Sequence, residues 1–185
     1  MTLKTWPSEL LVSSKVNGGT LTAAAAASCI DAESKVTLPP NFFTIGKRLR
    51  LRASGRISSV ITTPGTARFD VRFGSVVVWD GLAILLDTVA AHADVGWLLE
   101  LDLTCRAIGP TASLIGQGKW TCEDILGVPA SAPKGSLSAL LPWNAAPAVG
   151  NTFDSEASQV VDLFFTQTAA TGSLIVHQYS LESLN

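Results

Sequence analysis

Charge is scarce in this chain of 185 residues: 13 Lys and Arg with 15 Asp and Glu make 15% of it, where an average soluble domain carries about 25%. A surface so short of charge is expected to be covered in part by other protein. The formal net charge of −2 argues against a general polyanion binder, because affinity for nucleic acid rests on neutralising several phosphates at once; no nucleic-acid partner is expected. Histidine is limited to His92 and His177, and His-x-His, His-Glu-x-x-His, Gly-x-Ser-x-Gly and Walker patterns are all missing. No uninterrupted apolar run approaches the roughly 18 residues of a membrane helix, so no membrane partner is expected. The three cysteines, Cys29, Cys105 and Cys122, are an odd number without CxxC spacing. They read as buried free thiols.

What the chain does contain is a two-residue period. From Lys47 to Arg56 it places Leu49, Leu51 and Ala53 on one side and Arg48, Arg50 and Arg52 on the other, the pattern of a half-buried strand. The period returns over Arg68–Phe73 and over Trp97–Cys105, where Leu98 alone breaks the polar face. Leu114–Cys122 alternates too, with Gly116, Gly118, Trp120 and Cys122 on one side; its glycines leave room beneath a large neighbour or mark a bulge. This segment is expected to form a hairpin with 97–106 about Gly109-Pro110, Cys122 lying opposite Leu98 or close to it. Gln159–Thr166 and Ser173–Tyr179 close the chain as two further strands, His177 sharing a side with Ile175 and Tyr179.

Turn signals divide these runs. Thr62-Thr63-Pro64-Gly65 carries the Pro-Gly pair of a type II turn and is expected to close a hairpin. Gly74 and Asp80-Gly81 mark tighter turns around Val76–Trp79, and 82–91 reads as short strands or one helix. The proline-rich segment from Gly127 to Gly150 reads as a long loop at an interface or binding rim. One core-facing side per strand, spacing near ten residues and little helix fit an all-β fold: a single jelly-roll-like antiparallel β-sandwich of about eight to ten strands over 34–185. An immunoglobulin-type sandwich is the second choice. Residues 1–33, with Trp6-Pro7, Asn17-Gly18-Gly19 and a run of five alanines, form an N-terminal arm or peripheral strands.

Six of the seven arginines fall between Arg48 and Arg72. The plain reading pairs them across strands with outward carboxylates such as Asp70, Glu100 and Asp102; the sharper one is a surface for an anionic partner. Glu100 and Asp102 face outward on a strand, and Glu123 and Asp124 begin a loop, so neither pair resembles a cleft acid. The two histidines sit in a small turn and on a strand, where a structural role is expected. No catalytic, cofactor or metal residue is assigned and the chain reads as non-enzymatic. Trp97 and Trp120 are expected to face the core, which leaves Trp6, Trp79 and Trp143 as possible anchors. Candidate interface residues are Trp6, Leu10, Leu11, Val12, Arg48, Arg50, Arg52 and Trp143.

The series Leu38-Pro39-Pro40-Asn41-Phe42-Phe43, Gly46-Lys47, Ala53–Ser58, Thr63–Thr66, Asp70–Gly74 and Leu103–Arg106, with Ala145–Gly150, Phe153-Asp154, His177-Gln178-Tyr179 and the terminal Leu184-Asn185, resembles small structural proteins of tailed bacteriophages, and among them capsid decoration, or cement, proteins. The resemblance implies a virion protein on the capsid surface, made in the host cytoplasm, forming a homotrimer and binding the major capsid protein. It supplies no catalytic residues. The alternative is a tail or head-fibre adhesin that binds host-surface glycan.

Overall fold

The computed structural model describes residues 8–127 and 135–184. Alternating apolar residues cannot be buried by one sheet alone, and the chain solves this with two antiparallel sheets face to face. In chain order the strands are β1 (Glu9–Ser13), β2 (Ala26–Ser28), β3 (Val36–Leu38), β4 (Arg48–Ser59), β5 (Thr66–Phe73), β6 (Val76–Asp80), β7 (Ile84–Leu85), β8 (His92–Ala107), β9 (Ser113–Gly127), β10 (Gly135–Leu141), β11 (Gln159–Gln167) and β12 (Ser173–Leu184). The larger sheet has the order β1-β12-β4-β8-β9-β10; the smaller has β2-β11-β5-β6, with β3 also on β11 and β7 on β5. The fold is the expected all-β antiparallel sandwich, with short edge strands raising the count to twelve among the described residues.

The core lies between the sheets. Leu49, Leu51, Leu99, Leu101, Leu103 and Trp120 from the larger sheet meet Phe69, Val71, Phe73, Leu163 and Phe165 from the smaller, all almost fully buried. Each such side chain contributes roughly 1.5–3 kcal/mol. Phe69 is the hub of one aromatic group, with ring centroids 5.2, 5.0 and 5.1 Å from Trp97, Trp120 and Phe165. Phe43, Phe73 and Phe153 form a second group at one end. Trp97 and Trp120 face the core as expected, and the β8–β9 hairpin sets Trp97 opposite Cys122, one residue from the expected register.

Several details differ from the sequence reading, each through a contact distant in the chain. Thr62–Gly65 does not close a hairpin. Gly65 has the positive φ of +67° that a turn requires, but β4 and β5 belong to different sheets, so the turn carries the chain across the sandwich. Part of the proline-rich segment is a strand: β10 adds to the edge of β9, and Glu123 and Asp124 lie within β9, at the irregularity where Ser136 pairs with Leu126 but Ser138 with Thr121. At β12 a bulge between Val176 and Gln178 shifts the alternation by one, so Tyr179 turns inward while His177 stays exposed.

Trp79 is no free anchor, being 3% exposed. The β5–β6 pairing is irregular between Val71 and Arg72, and the indole lies against Gly116 of the opposite sheet. A Cβ at Gly116 would stand 2.4 Å from Trp79 Cδ1 and 2.5 Å from Leu103 Cδ2. The glycine is thus the vacancy into which the tryptophan packs. At the N-terminus, β1 pairs with β12 and β2 with β11, so the described part of that segment supplies an edge strand to each sheet. The end of the alanine run, Ala26 and Ala27, becomes extended because β11 offers it a partner, Ala23–Ala25 bend before it, and Cys29 and Ile30 just beyond enter the core.

Gly116→Ala is expected to cost about 1–3 kcal/mol by overpacking. Gly96→Ala, where an added Cβ meets nothing within 4 Å, is expected to change stability by less than about 0.5 kcal/mol. Urea unfolding of both variants measures the difference, and equal midpoints would rule out the Trp79–Gly116 contact as described.

Candidate functional site

The outer face of the larger sheet carries the side chains that alternation turns away from the core. Strand register arranges them in rows: Ser180, Arg52, Glu100, Lys119 and Leu140 in one, Glu182, Arg50, Asp102 and Gln117 in the next, then Leu184, Arg48, Thr104 and Ile115. Arg48 Nη2 donates to Asp102 Oδ2 at 2.8 Å and Arg50 Nε to Asp102 Oδ1 at 3.0 Å, so one carboxylate serves two guanidiniums. Arg52 pairs with Glu100 at 3.0 Å and Arg56 with Asp94 at 3.4 Å. The cross-strand pairing foreseen for Glu100 and Asp102 is therefore what the fold builds. At this exposure each pair contributes about 0–1 kcal/mol, too little to explain the cluster as a stabilising device.

Asp70 is paired with arginines as expected, but along its own strand and not across strands: it sits on the outer face of the smaller sheet, fully buried, bonded by Arg72 Nε at 2.5 Å and approached by Arg68 at 3.4 Å. The Arg72 guanidinium lies 3.8 Å from the centre of the Phe164 ring. Removing one partner of such a sealed pair strands the other, so this cluster belongs to the fold.

A groove of about 590 Å³ runs along the outer face of the larger sheet. Its polar lining is Arg48, Arg50, Arg52, Glu100, Asp102, Thr104, Arg106, Gln117 and Lys119, and Leu140, Pro147 and Ile115 form its apolar wall. Five cations thus face two carboxylates. Arg106 and Lys119 are exposed and form no ion pair among the described residues. A second depression begins at Arg52 and passes Ser54, Leu98, Gln178 and His177 to the turn after β1. Sequence reasoning singled out Arg48, Arg50 and Arg52 but not Arg106, Gln117 or Lys119, which only the β8–β9 register brings beside them.

The other candidate residues are dispersed. Trp6 lies outside the described residues. Leu10 of β1, opposite Glu182 in register, is 59% exposed, while Leu11, Val12 and Trp143 are half-buried and pack against the core.

The histidines are not brought together. His92 Nε2 is 3.0 Å from Asp87 Oδ2, and Asp87 also accepts bonds from the amides of Val89 and Ala90. His177 Nδ1 is 3.0 Å from Asn17 Oδ1. Among the described residues no three of His, Cys, Asp and Glu are placed to hold a metal ion, and no helix is long and apolar enough to cross a membrane. Cys29, Cys105 and Cys122 are free and buried; desolvation pushes all three thiols up, Cys122 to about 11.

No protein-family model matches the chain, and no curated protein sequence matches it. Among solved structures it is similar to the CBM2 module of the evolved Dit of Lactobacillus casei BL23 phage J-1, at 9% identity over 97% of each chain with a TM-score of 0.38. A likeness this distant carries no functional argument.

Native protein at about pH 8 is expected to leave all three thiols unreactive toward an aromatic disulfide reagent, and denatured, non-reduced protein to titrate three. Rapid native reaction would contradict their burial. Desolvation pushes the Asp87 carboxyl up, but the bonds from His92, Val89 and Ala90 outweigh it and hold the pKa below the usual range. A folded-state pKa below the unfolded one contributes stability above the unfolded value, about 4, that is lost as pH falls through the folded value. Asp87→Asn should therefore be less stable than the parent at neutral pH, the gap narrowing in acid. A gap independent of pH would exclude this linkage.

Proposed function

We propose that this chain is a non-enzymatic structural protein of a tailed-phage virion, a homotrimeric decoration protein that binds the major capsid protein and stabilises the shell. The phage part of the reading rests on the sequence resemblance. The assembly part rests on one observation: β10, the outermost strand of the larger sheet, reads Gly-Ser-Leu-Ser-Ala-Leu-Leu without a single charge, and Leu137 and Leu140 are 65% and 64% exposed on it. Free edges are normally guarded by lysine, proline or inward charge, because their unpaired amides and carbonyls recruit other strands. An uncharged edge strand with two exposed leucines fits a surface that is covered in use.

The opposite edge of the same sheet is β1, with Leu10 exposed. Contact between two unlike edges is heterologous, and such contacts close into a ring when the rotation between copies closes and run on as a filament when it does not. Three copies joined β1 to β10 would seal both edges and bury roughly 2,000 Å² or more. A ring that binds only the assembled shell shifts the shell's equilibrium away from disassembly.

A second reading, an adhesin for host-surface glycan, is favoured by the polar groove on the outer face, whose charged lining stands on β4, β8 and β9 and meets the β10 edge only at Leu140.

Light scattering at micromolar concentration should return three times the 19.4 kDa of the chain, and Leu137→Lys with Leu140→Lys should give a folded monomer that no longer sediments with capsids. A monomeric parent would overturn the trimer. A dimer broken by the same substitutions would point to β10–β10 pairing and overturn the ring.

A further inference from the structure

We infer that the groove on the outer face of the larger sheet is a binding site for an acidic saccharide, one that carries carboxylate or phosphate groups among its hydroxyls. This deepens the adhesin reading and rests on it. The inference starts from a charge imbalance: the chain as a whole is at −2, yet the groove holds five cations against two carboxylates. Arg48 and Arg50 share Asp102, and Arg52 takes Glu100. Glu182 stands beside Arg50 by register. Arg106 and Lys119 are left without an ion pair among the described residues, at two places along the same groove.

The remaining lining favours a saccharide over an acidic peptide. Hydroxyl groups donate and accept, so they can use Glu100 and Asp102 as acceptors and Gln117 and Thr104 as either, while an acid group on the same polymer takes Arg106 or Lys119. Leu140, Pro147 and Ile115 supply a small apolar wall for the non-polar face of a sugar ring. An extended peptide gains much of its affinity by adding to a free strand edge. Here the floor is the face of β4, β8 and β9, whose main chains already pair on both sides. The polar side chains stand on three adjacent long strands, so the site is held in place before any ligand arrives.

The experiment is titration calorimetry of the full chain with four probes: an oligogalacturonate for the carboxylate, a glycerol-phosphate oligomer for the phosphate, a neutral malto-oligosaccharide and poly-glutamate. Binding of one acidic saccharide, weakening as salt is raised, is the expected result. Arg106→Gln and Lys119→Gln should each weaken it about tenfold, since each removes a charge-assisted hydrogen bond, while Arg56→Gln, outside the groove lining, should not. Whichever of the first two probes binds identifies the acid group. Binding of the neutral oligosaccharide with the same affinity, unaffected by either substitution, would overturn the acidic site and leave the adhesin reading standing. Poly-glutamate binding as tightly would overturn saccharide selectivity. No saccharide binding at millimolar concentration would overturn both the site and the adhesin reading.

Discussion

The two-residue alternation of β4 and β8 is the constraint on which the rest of this molecule depends. Their pairing runs from Arg48 opposite Thr104 to Ser59 opposite His92, and it makes one decision for both faces at once. With Leu49, Leu51, Leu99, Leu101 and Leu103 turned into the sandwich, Arg48, Arg50, Arg52, Glu100 and Asp102 have nowhere to go but outward. A slip of one residue would bury the charges and expose the leucines. The core and the charged face are two consequences of one register, so the surface chemistry is as firmly specified as the packing.

The two edges of the larger sheet obey the opposite logic. Its middle is fully paired and patterned, whereas β1 and β10 end it with exposed leucines and, in β10, no charge. In the lone chain Leu137 and Leu140 remain largely exposed. An assembly role gives these residues a purpose, and the low overall charge of the chain then fits a protein that spends its life partly covered. The groove borders the β10 edge through Leu140, but its charged lining stands on β4, β8 and β9 and offers hydrogen bonds and charge.

How much could be read in the sequence depended on how local the cause was. Alternation located β4, β5, β8, β9, β11 and β12 and set Trp97 and Trp120 inward, because each follows from neighbours a few residues apart; the match of Arg48–Arg52 with Glu100 and Asp102, made between strands distant in the chain, was legible from the opposite charge of two outward faces. What was not legible was decided across the sandwich. Thr62–Gly65 has the chemistry of a hairpin turn, and only the sheet to which β5 is recruited makes it a crossover. Trp79 looked free because the vacancy that receives it, Gly116, lies in the opposite sheet. β10 was hidden in a proline-rich stretch since its strand character comes from β9, and the bulge at His177 moved Tyr179 inward against the local period. Arg106 and Lys119 joined the groove through register, which no local pattern announces.

The central claim is that the uncharged edge is a contact surface in the virion. Cryo-electron microscopy of purified particles that carry this chain tests it most directly, because the density places each edge of the larger sheet against a neighbour or against solvent. The account predicts a three-fold ring on the capsid with β10 of each copy sealed against the next. Density with β10 facing solvent, or particles devoid of the chain, would contradict it.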